Sequence, residues 1–356
     1  MDKYKIKSPI GYLWLQQFLD NKGIKTYPYY RESYLLEKGN NRVVEKLNQT
    51  EYYYKQKNIK DDNLWNNVEF ALKHEGINLE IFENLFEVLG KEVVQNYVKK
   101  KPNGKYNRII WFLYEWLTEK NLDLKDIDTR NYIELLDSDL YYTSDPVNHK
   151  RYAIKENLLG NKYFCPFIRK TDRLNHYKNI NLKEKALKVI ANYNSSLIKR
   201  ASSYLYFKET KSSNEIEREK PNQARLVRFV NILEKIDQLD KLSKEFLIEI
   251  QNTIVDPRYA QKDYRTWQNY VGETFGLEHQ KIHYIAPKGE DVESLMKGLL
   301  ECSERLLTSN LPPVVIAAIL SFGFVFIHPF EDGNGRIHRF LIHYVLAKLN
   351  STPEGV

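Results

Sequence analysis

Residues 328–339 read His-Pro-Phe-Glu-Asp-Gly-Asn-Gly-Arg-Ile-His-Arg. The stretch follows a long apolar segment and combines an imidazole, a carboxylate, a glycine-asparagine-glycine turn and two guanidinium groups. The backbone N–H groups of such a turn, together with the positive end of a following helix, attract an anion. We therefore expect a loop between two helices that is shaped to hold phosphate groups.

The charged side chains of this loop indicate which reaction the bound anion undergoes. A carboxylate beside phosphate oxygens is the usual environment of Mg²⁺ in proteins, so Asp332 is a candidate metal ligand. His328 opens the loop, and an imidazole is the side chain best suited to take up a proton near neutral pH. Arg336 and Arg339 share one face of the expected helix, and planar guanidinium groups suit phosphate oxygens better than lysine does. Together these residues predict phosphoryl or nucleotidyl transfer.

The same stretch matches the signature H-x-F-x-[DE]-G-N-G-R-x-x-R at every specified position, and in this the chain resembles the Fic family. The resemblance implies an enzyme that moves the AMP part of ATP onto a hydroxyl of a target protein and releases pyrophosphate. It implies that His328 is the catalytic base and that Asp332 holds Mg²⁺ against the α- and β-phosphates. The residues implied to bind the phosphates are Gly333, Asn334, Gly335, Arg336 and Arg339.

Each type of residue in the implied phosphate cradle has a physical reason. Glycine reaches positive φ and lets the backbone approach a phosphate without a Cβ in the way. Asn334 tolerates the left-handed region and adds an amide donor, while Phe330 is expected to anchor the loop in the core. His338 and His343 do not stand one helical turn apart as zinc ligands in H-E-x-x-H do, so we predict no zinc site and assign His338 no role.

A second segment implied by the resemblance lies before the motif. Residues 279–287 fall where Fic proteins have the flap, a β-hairpin that pairs with an extended segment of the target. Adding a strand to an exposed edge holds any target backbone while pockets select the side chain. The expected flap residues are His279, Lys281, Ile282, His283 and Tyr284.

A third segment resembles the inhibitory motif of the family, [ST]-x-x-x-E-[GN]. It runs from Ser213 to Glu217, with Arg218 in the final position instead of Gly or Asn. By resemblance, Glu217 pairs with Arg339 and takes the place of the γ-phosphate, because a carboxylate and a phosphate oxygen compete for one guanidinium. The sequence therefore predicts a self-restrained enzyme; the alternative is a solvated acidic turn of helix.

Length and periodicity indicate the organisation of the chain. At 356 residues it is long enough for two domains. Helical periodicity dominates, so we predict an all-α fold with a small β-hairpin. We predict that residues 1–180 form a mainly helical domain of unknown role, and the resemblance implies that residues 181–356 form a Fic domain with an inhibitory helix near 212–220. Fic proteins usually continue with further helices after the motif helix, and the sequence leaves open whether the C-terminus is truncated.

Composition bears on location. The two cysteines, Cys165 and Cys302, provide no disulfide framework and suit a reducing compartment. The N-terminus lacks the apolar run of a secretory signal. The uncharged segment 311–327 is shorter than the roughly 20 apolar residues that a membrane span needs. We predict a cytoplasmic protein without a membrane partner.

Two alternatives to AMP transfer stay open. The first is removal of AMP from a modified protein, with Glu217 positioning a water molecule at the same site. The second is a nucleic-acid-binding regulator with a vestigial catalytic domain, because residues 151–200 hold 12 Lys and Arg against 3 Asp and Glu. We favour a solvated surface for that segment. The sequence also leaves open the target protein, its Tyr, Thr or Ser hydroxyl, and homo-oligomer formation.

Overall fold

The computed structural model describes residues 7–37, 39–47, 49–55, 63–178, 182–216, 223–234, 236, 241–275 and 279–352. The chain divides into two compact units, Met1–Asp137 with Pro146–Asn157, and Ser138–Asp145 with Leu158–Val356. This division lies earlier than the join that the sequence predicts near residue 180. Leu159, Phe164 and Ile168 explain the difference, because they pack into or against the core of the second unit.

The described part of the first unit combines helices with two small sheets. The helices are α1 (Tyr12–Asp20), α2 (Leu64–His74), α3 (Leu79–Lys100) and α4 (Lys105–Thr118). One sheet consists of β1 (Lys7–Ile10), β2 (Arg31–Leu36), β3 (Arg42–Glu45) and β4 (Thr50–Lys55), in the order β1-β2-β4-β3. The other consists of β5 (Ile133–Glu134), β6 (Val147–His149) and β7 (Ile154–Glu156), in the order β5-β7-β6.

Helical periodicity located the helices of the first unit but not its sheets. In β4, an inward-facing position is occupied by Glu51, which is buried and accepts hydrogen bonds from Lys46 Nζ and Tyr53 Oη, both at 2.5 Å. A carboxylate at an inward position breaks the alternation of apolar and polar residues by which a half-buried strand is recognised.

The second unit is built from helices and one hairpin. The helices are α5 (Asp172–Lys178), α6 (Leu182–Ile190), α7 (Ser195–Ile216), α8 (Gln223–Glu234), α9 (Lys244–Ile254), α10 (Val292–Leu307), α11 (Pro313–Ile327) and α12 (Asn334–Lys348). The hairpin pairs β8 (Tyr270–Phe275) with β9 (His279–Ile285), with an irregularity between Val271 and Gly272. The predicted helical fold with a small β-hairpin is confirmed.

Two helix boundaries before the hairpin differ from the sequence analysis. The apolar pattern of residues 183–207 predicts one long helix. The structure instead has a break between α6 and α7, where the Asn194 side chain accepts the N–H of Leu197 at 2.8 Å and starts a new helix. The capping-box pattern from Ser212 predicts a helix start, but α7 continues through it to Ile216. A serine inside a helix keeps its backbone hydrogen bonds, so the pattern alone does not fix an N-terminus.

The core of the second unit surrounds α11. Its almost wholly apolar sequence lets it bury Leu320, Phe324 and Ile327 on the sides that face α10 and α12. Within the described residues, no helix combines the length and apolar character needed to cross a membrane. The C-terminus of this helix delivers the motif of residues 328–339.

The basic segment 151–200 is divided between the two units. Its first residues belong to the first unit, and the remainder belongs to the second. Arg151 is turned inward, where it donates two hydrogen bonds to Glu115, both at 2.8 Å. Lys170 and Lys183 donate to the backbone carbonyls of Ser138 and Asn350. These three basic side chains are thus engaged within their own units, and a nucleic-acid partner stays an untested alternative.

Candidate active site

The site begins where α11 ends. His328 is the C-terminal cap of that helix and has left-handed backbone angles, φ 54° and ψ 59°. Its N–H still donates to Phe324 O at 3.0 Å, which completes the last helical turn. A non-glycine residue in this region is conformationally costly and is held there by its surroundings, as is common at functional sites.

The ring of His328 is fixed by one hydrogen bond. Nδ1 lies 3.2 Å from Val325 O. Because a carbonyl only accepts, we assign the proton of the neutral ring to Nδ1, which leaves the lone pair on Nε2. Burial lowers the pKa of His328, and the nearby charge of Arg265 lowers it further, against the raising effects of the Val325 hydrogen bond and of Asp332. The imidazole is therefore neutral near neutral pH and has one nitrogen able to accept a proton.

Asp332 has one oxygen bonded and one without a partner. Oδ1 accepts the N–H of Gly333 at 2.6 Å and Nη2 of Arg336 at 2.8 Å. Oδ2 is buried and has no hydrogen-bond partner in the described part of the chain. A buried carboxylate oxygen without a donor is unusual, and a divalent cation is the kind of group that would satisfy it. The residues present therefore fit a Mg²⁺ ligand at Asp332.

The turn of the loop is made by Gly333 and closed by Asn334. Gly333 has φ 90°, and a Cβ placed on it would lie 2.9 Å from Val255 Cγ1. The Asn334 side chain accepts Phe330 N–H at 3.1 Å and donates Nδ2 to Phe330 O at 2.8 Å. Asn334 and Gly335 are the first residues of α12 and do not have positive φ, unlike the left-handed turn expected for Asn334. Asn334 therefore shapes the loop from within.

The two arginines of the motif differ in exposure. Arg336 is 1% exposed, and its Nη1 donates to Ile254 O at 2.8 Å in addition to the contact with Asp332. It thereby orients the Asp332 carboxylate. Arg339 is partly exposed and donates Nη1 to Gly335 O at 3.2 Å. For both arginines, phosphate binding stays a prediction.

Of the two predicted inhibitory residues, Ser213 lies in the last turn of α7. The backbone at Ser213 is helical, and Glu217 lies outside the described residues. Two turns earlier, Glu209 Oε2 lies 2.9 Å from His343 Nε2 of α12. The hydrogen bond from His343, and to a smaller extent the charge of Arg339, lowers the pKa of Glu209. Helix α7 thus approaches the helix that presents Arg339.

The predicted flap residues lie on β9. Lys281, Ile282 and His283 are exposed, and Tyr284 donates its hydroxyl to Phe326 O near the end of α11 at 2.5 Å. His279 pairs through its backbone with Phe275. The hairpin is therefore held against the helix that ends in the motif.

Four polar residues that contact the motif were not identified from the sequence; one of them, Gln261, accepts the N–H of Glu331 through Oε1 at 2.8 Å. Gln251 donates Nε2 to Asp332 O at 3.3 Å, Arg265 donates Nε to His328 O at 2.7 Å, and Asn269 donates Nδ2 to Phe330 O at 3.3 Å. They share residues 251–269, which we call the supporting segment. No pattern in the sequence distinguishes these side chains from the many polar residues on the surface.

Parts of this chain are similar in sequence to one protein family and to several known proteins. Residues 241–346 match the model of the Fic/DOC family. The chain is 28% identical over 130 residues to the protein adenylyltransferase fic-1 of Caenorhabditis elegans, which is 36% of this chain and 23% of the relative. It is 31% identical over 124 residues to the protein adenylyltransferase Fic of Culex quinquefasciatus, covering 33% of this chain and 22% of the relative. The chain thus spans about a quarter of the length of these relatives.

Among solved structures, a Fic domain containing signaling protein from Bacteroides thetaiotaomicron VPI-5482 is 22% identical and has a TM-score of 0.37. The match covers 48% of this chain and 73% of the other. A Fic-1 structure from C. elegans is 14% identical, with a TM-score of 0.35, over 84% of this chain and 82% of the other. TM-scores this low support no detailed argument.

The geometry at Gly333 leads to a stability prediction. Gly333→Ala forces an L residue into a left-handed turn and against Val255, which should lower the free energy of unfolding by at least about 1–2 kcal/mol. Gly335→Ala is the matched control, because Gly335 lies within α12 and has no positive φ. Urea unfolding measures both variants, and equal stability of the two would contradict the described loop.

Proposed function

We propose that this chain, whose residues 241–346 belong to the Fic/DOC family, is a protein adenylyltransferase that uses ATP and Mg²⁺ to modify a hydroxyl of a target protein. The proposal rests on one observation: the loop of residues 328–333 brings together a neutral imidazole and a buried carboxylate oxygen, directly before the N-terminus of α12. Among the described residues no side chain caps that N-terminus, so its first N–H groups suit phosphate oxygens. The names of the curated relatives support the same activity.

In the proposed reaction, His328 removes the proton that makes an alcohol a poor nucleophile. The target oxygen attacks the α-phosphorus of ATP, a new P–O bond forms, the bond between the α-phosphorus and the bridging oxygen breaks, and pyrophosphate leaves. The hydroxyl proton passes to Nε2 of His328, whose Nδ1 is engaged with Val325 O. The N–H groups at the start of α12 lie where phosphate charge would be stabilised.

Asp332 is the residue that would hold Mg²⁺, and the ion would neutralise negative charge on the phosphate oxygens. The hydrogen bonds from Gly333 and Arg336 fix one carboxylate oxygen and leave the other for the ion. Arg339, which is partly exposed on α12, is the proposed partner of the terminal phosphates.

Transfer of AMP is tested with ATP labelled in the α-phosphate. We expect the chain to label itself or lysate proteins in the presence of Mg²⁺, and His328→Ala to lower the rate by about 10²–10⁴-fold because the base is lost. His338→Ala is the matched control and should keep the rate. Mass spectrometry identifies the adduct and the modified side chain. Labelling that persists in His328→Ala, or that comes from γ-labelled ATP, would contradict the proposal.

The environment of His328 predicts the acid side of the pH profile. Because burial lowers its pKa, the base stays neutral below the ordinary imidazole value of about 6.5. Activity should therefore be retained as the pH falls through about 6.5, and should decline only at the lower pKa of the buried ring. Initial rates across pH at saturating ATP and Mg²⁺ measure this. An acidic limb centred above about 6.5 would be inconsistent with the buried base.

We further propose that Glu217 restrains the activity by pairing with Arg339. The approach of α7 to α12 through Glu209 and His343 supports this proposal, because it brings the chain before Glu217 close to the helix of Arg339. Replacement of Glu217 by alanine or glycine would then make the Arg339 guanidinium available to a phosphate.

Release of this restraint is a separate prediction. Glu217→Gly should raise self-labelling with ATP, because the carboxylate proposed to compete with the phosphate for Arg339 is then removed. Glu215→Gly removes a neighbouring acidic group and should leave the rate near that of the unchanged chain. The two variants are compared at matched protein and Mg²⁺ concentrations, and an absence of any increase in Glu217→Gly would argue against inhibition.

A further inference from the structure

We propose that Arg265 is a positioning residue of this site, which ties both ends of the β8–β9 hairpin to the backbone of His328. A target segment bound along the hairpin is thereby held in a fixed relation to the base. The inference rests on the proposed function, because the target segment and the catalytic base are those of the proposed reaction. The linkage itself is a property of the described residues.

Arg265 is 1% exposed, and its guanidinium binds backbone carbonyls only, within the part of the chain that is described. Nε donates to His328 O at 2.7 Å, Nη1 to Trp267 O at 2.6 Å, and Nη2 to Pro287 O at 2.8 Å and Ile327 O at 3.0 Å. Its own N–H donates to Pro329 O at 2.8 Å. Trp267 lies before β8 and Pro287 lies after β9, so a single side chain joins the two ends of the hairpin to the start of the motif.

Arginine is the residue type that this linkage requires. Its five N–H donors lie in one plane and do not rotate independently, so four acceptors fix the positions of the segments that bear them. A buried guanidinium without a carboxylate is costly unless its donors are bonded, and burial lowers the pKa of Arg265. Its charge also lies at the C-terminus of α11, where the helix dipole favours a cation. An apolar core residue would not incur this cost.

The ends of the hairpin are already joined to each other without Arg265. Gln268 donates Nε2 to Ala286 O at 2.7 Å, and Ala286 N–H donates to Asn269 O at 3.1 Å. A Cβ on Gly289 would lie 2.1 Å from Thr266 O, so the two chain segments are in close contact. The contacts of Arg265 with Ile327 and His328 are therefore not needed to hold the two ends of the hairpin together, and they have a different effect. Because of these contacts, a displacement of the hairpin would also displace the motif.

The test compares Arg265→Met and Arg265→Lys with Arg258→Met in the full chain. Arg258 is the matched control, because its side chain is 80% exposed and its guanidinium pairs with Asp256. Hydrogen exchange with mass spectrometry gives a readout that needs no activity. Arg265→Met should raise the exchange rate about tenfold in peptides that contain residues 284–287 and 327–330 together, while α10 stays unchanged. Arg258→Met should leave both peptides unchanged.

Transfer kinetics give the second readout. Arg265→Met should lower kcat about 10²-fold while the KM for ATP stays within about twofold, because the target and base are misaligned although the phosphate site is intact. Arg265→Lys should restore part of the rate, since lysine keeps the charge but has fewer donors. If Arg265→Met does not fold, Arg265→Lys decides on the same two readouts with smaller changes.

The outcomes separate this inference from the proposed function. A wild-type chain that does not transfer AMP removes the proposed function, and the exchange pattern still decides the linkage. Exchange that is unchanged, or that rises equally over α10 and α12, overturns the positioning role. So does an Arg265→Met chain that keeps the kcat of an active wild type.

Discussion

The site depends on one constraint: the carbonyl groups at the end of α11 need hydrogen-bond donors from outside the helix. A helix leaves its last carbonyls without intrahelical donors, and the hydrogen bonds to those of Ile327 and His328 are buried or partly buried, where water does not readily replace the donor. Arg265 donates to the carbonyls of Ile327 and His328, while Tyr284 donates to that of Phe326. Both donors belong to the hairpin or its approach. The same hydrogen bonds thus satisfy the carbonyl groups at the end of α11, including that of the left-handed His328, and join the hairpin to this helix end.

The loop beyond the histidine is organised by side chains that point inward. Asn334 bonds both polar groups of the Phe330 backbone, and Arg336 holds one oxygen of Asp332 while it bonds Ile254 O. These residues would ordinarily be counted as ligands of the phosphates. In the structure they also set the shape of the loop and the direction of the Asp332 carboxylate, while phosphate binding by Asn334 and Arg336 stays a prediction.

The sequence predicted the parts of the molecule whose signals are local. The apolar segment 313–327, the glycine turn and the hairpin before Pro287 were each found because their chemistry is contained in a short stretch. The four-stranded sheet of the first unit was missed because Glu51 of β4 occupies an inward position, where hydrogen bonds from Lys46 and Tyr53 offset the cost of its burial. The break between α6 and α7 depends on the side chain of Asn194, which a periodicity argument does not weigh.

The contacts of Gln251, Arg265 and Asn269 could not have been predicted, because each joins residues far apart in the chain and has no local pattern. The supporting segment that contains them surrounds the motif without belonging to it. A chain could keep residues 328–339 unaltered, change only this segment and lose the alignment of its base. If Arg265 has the proposed positioning role, an intact signature alone does not establish activity, and the segment before the hairpin supplies a second criterion by which such chains can be sorted.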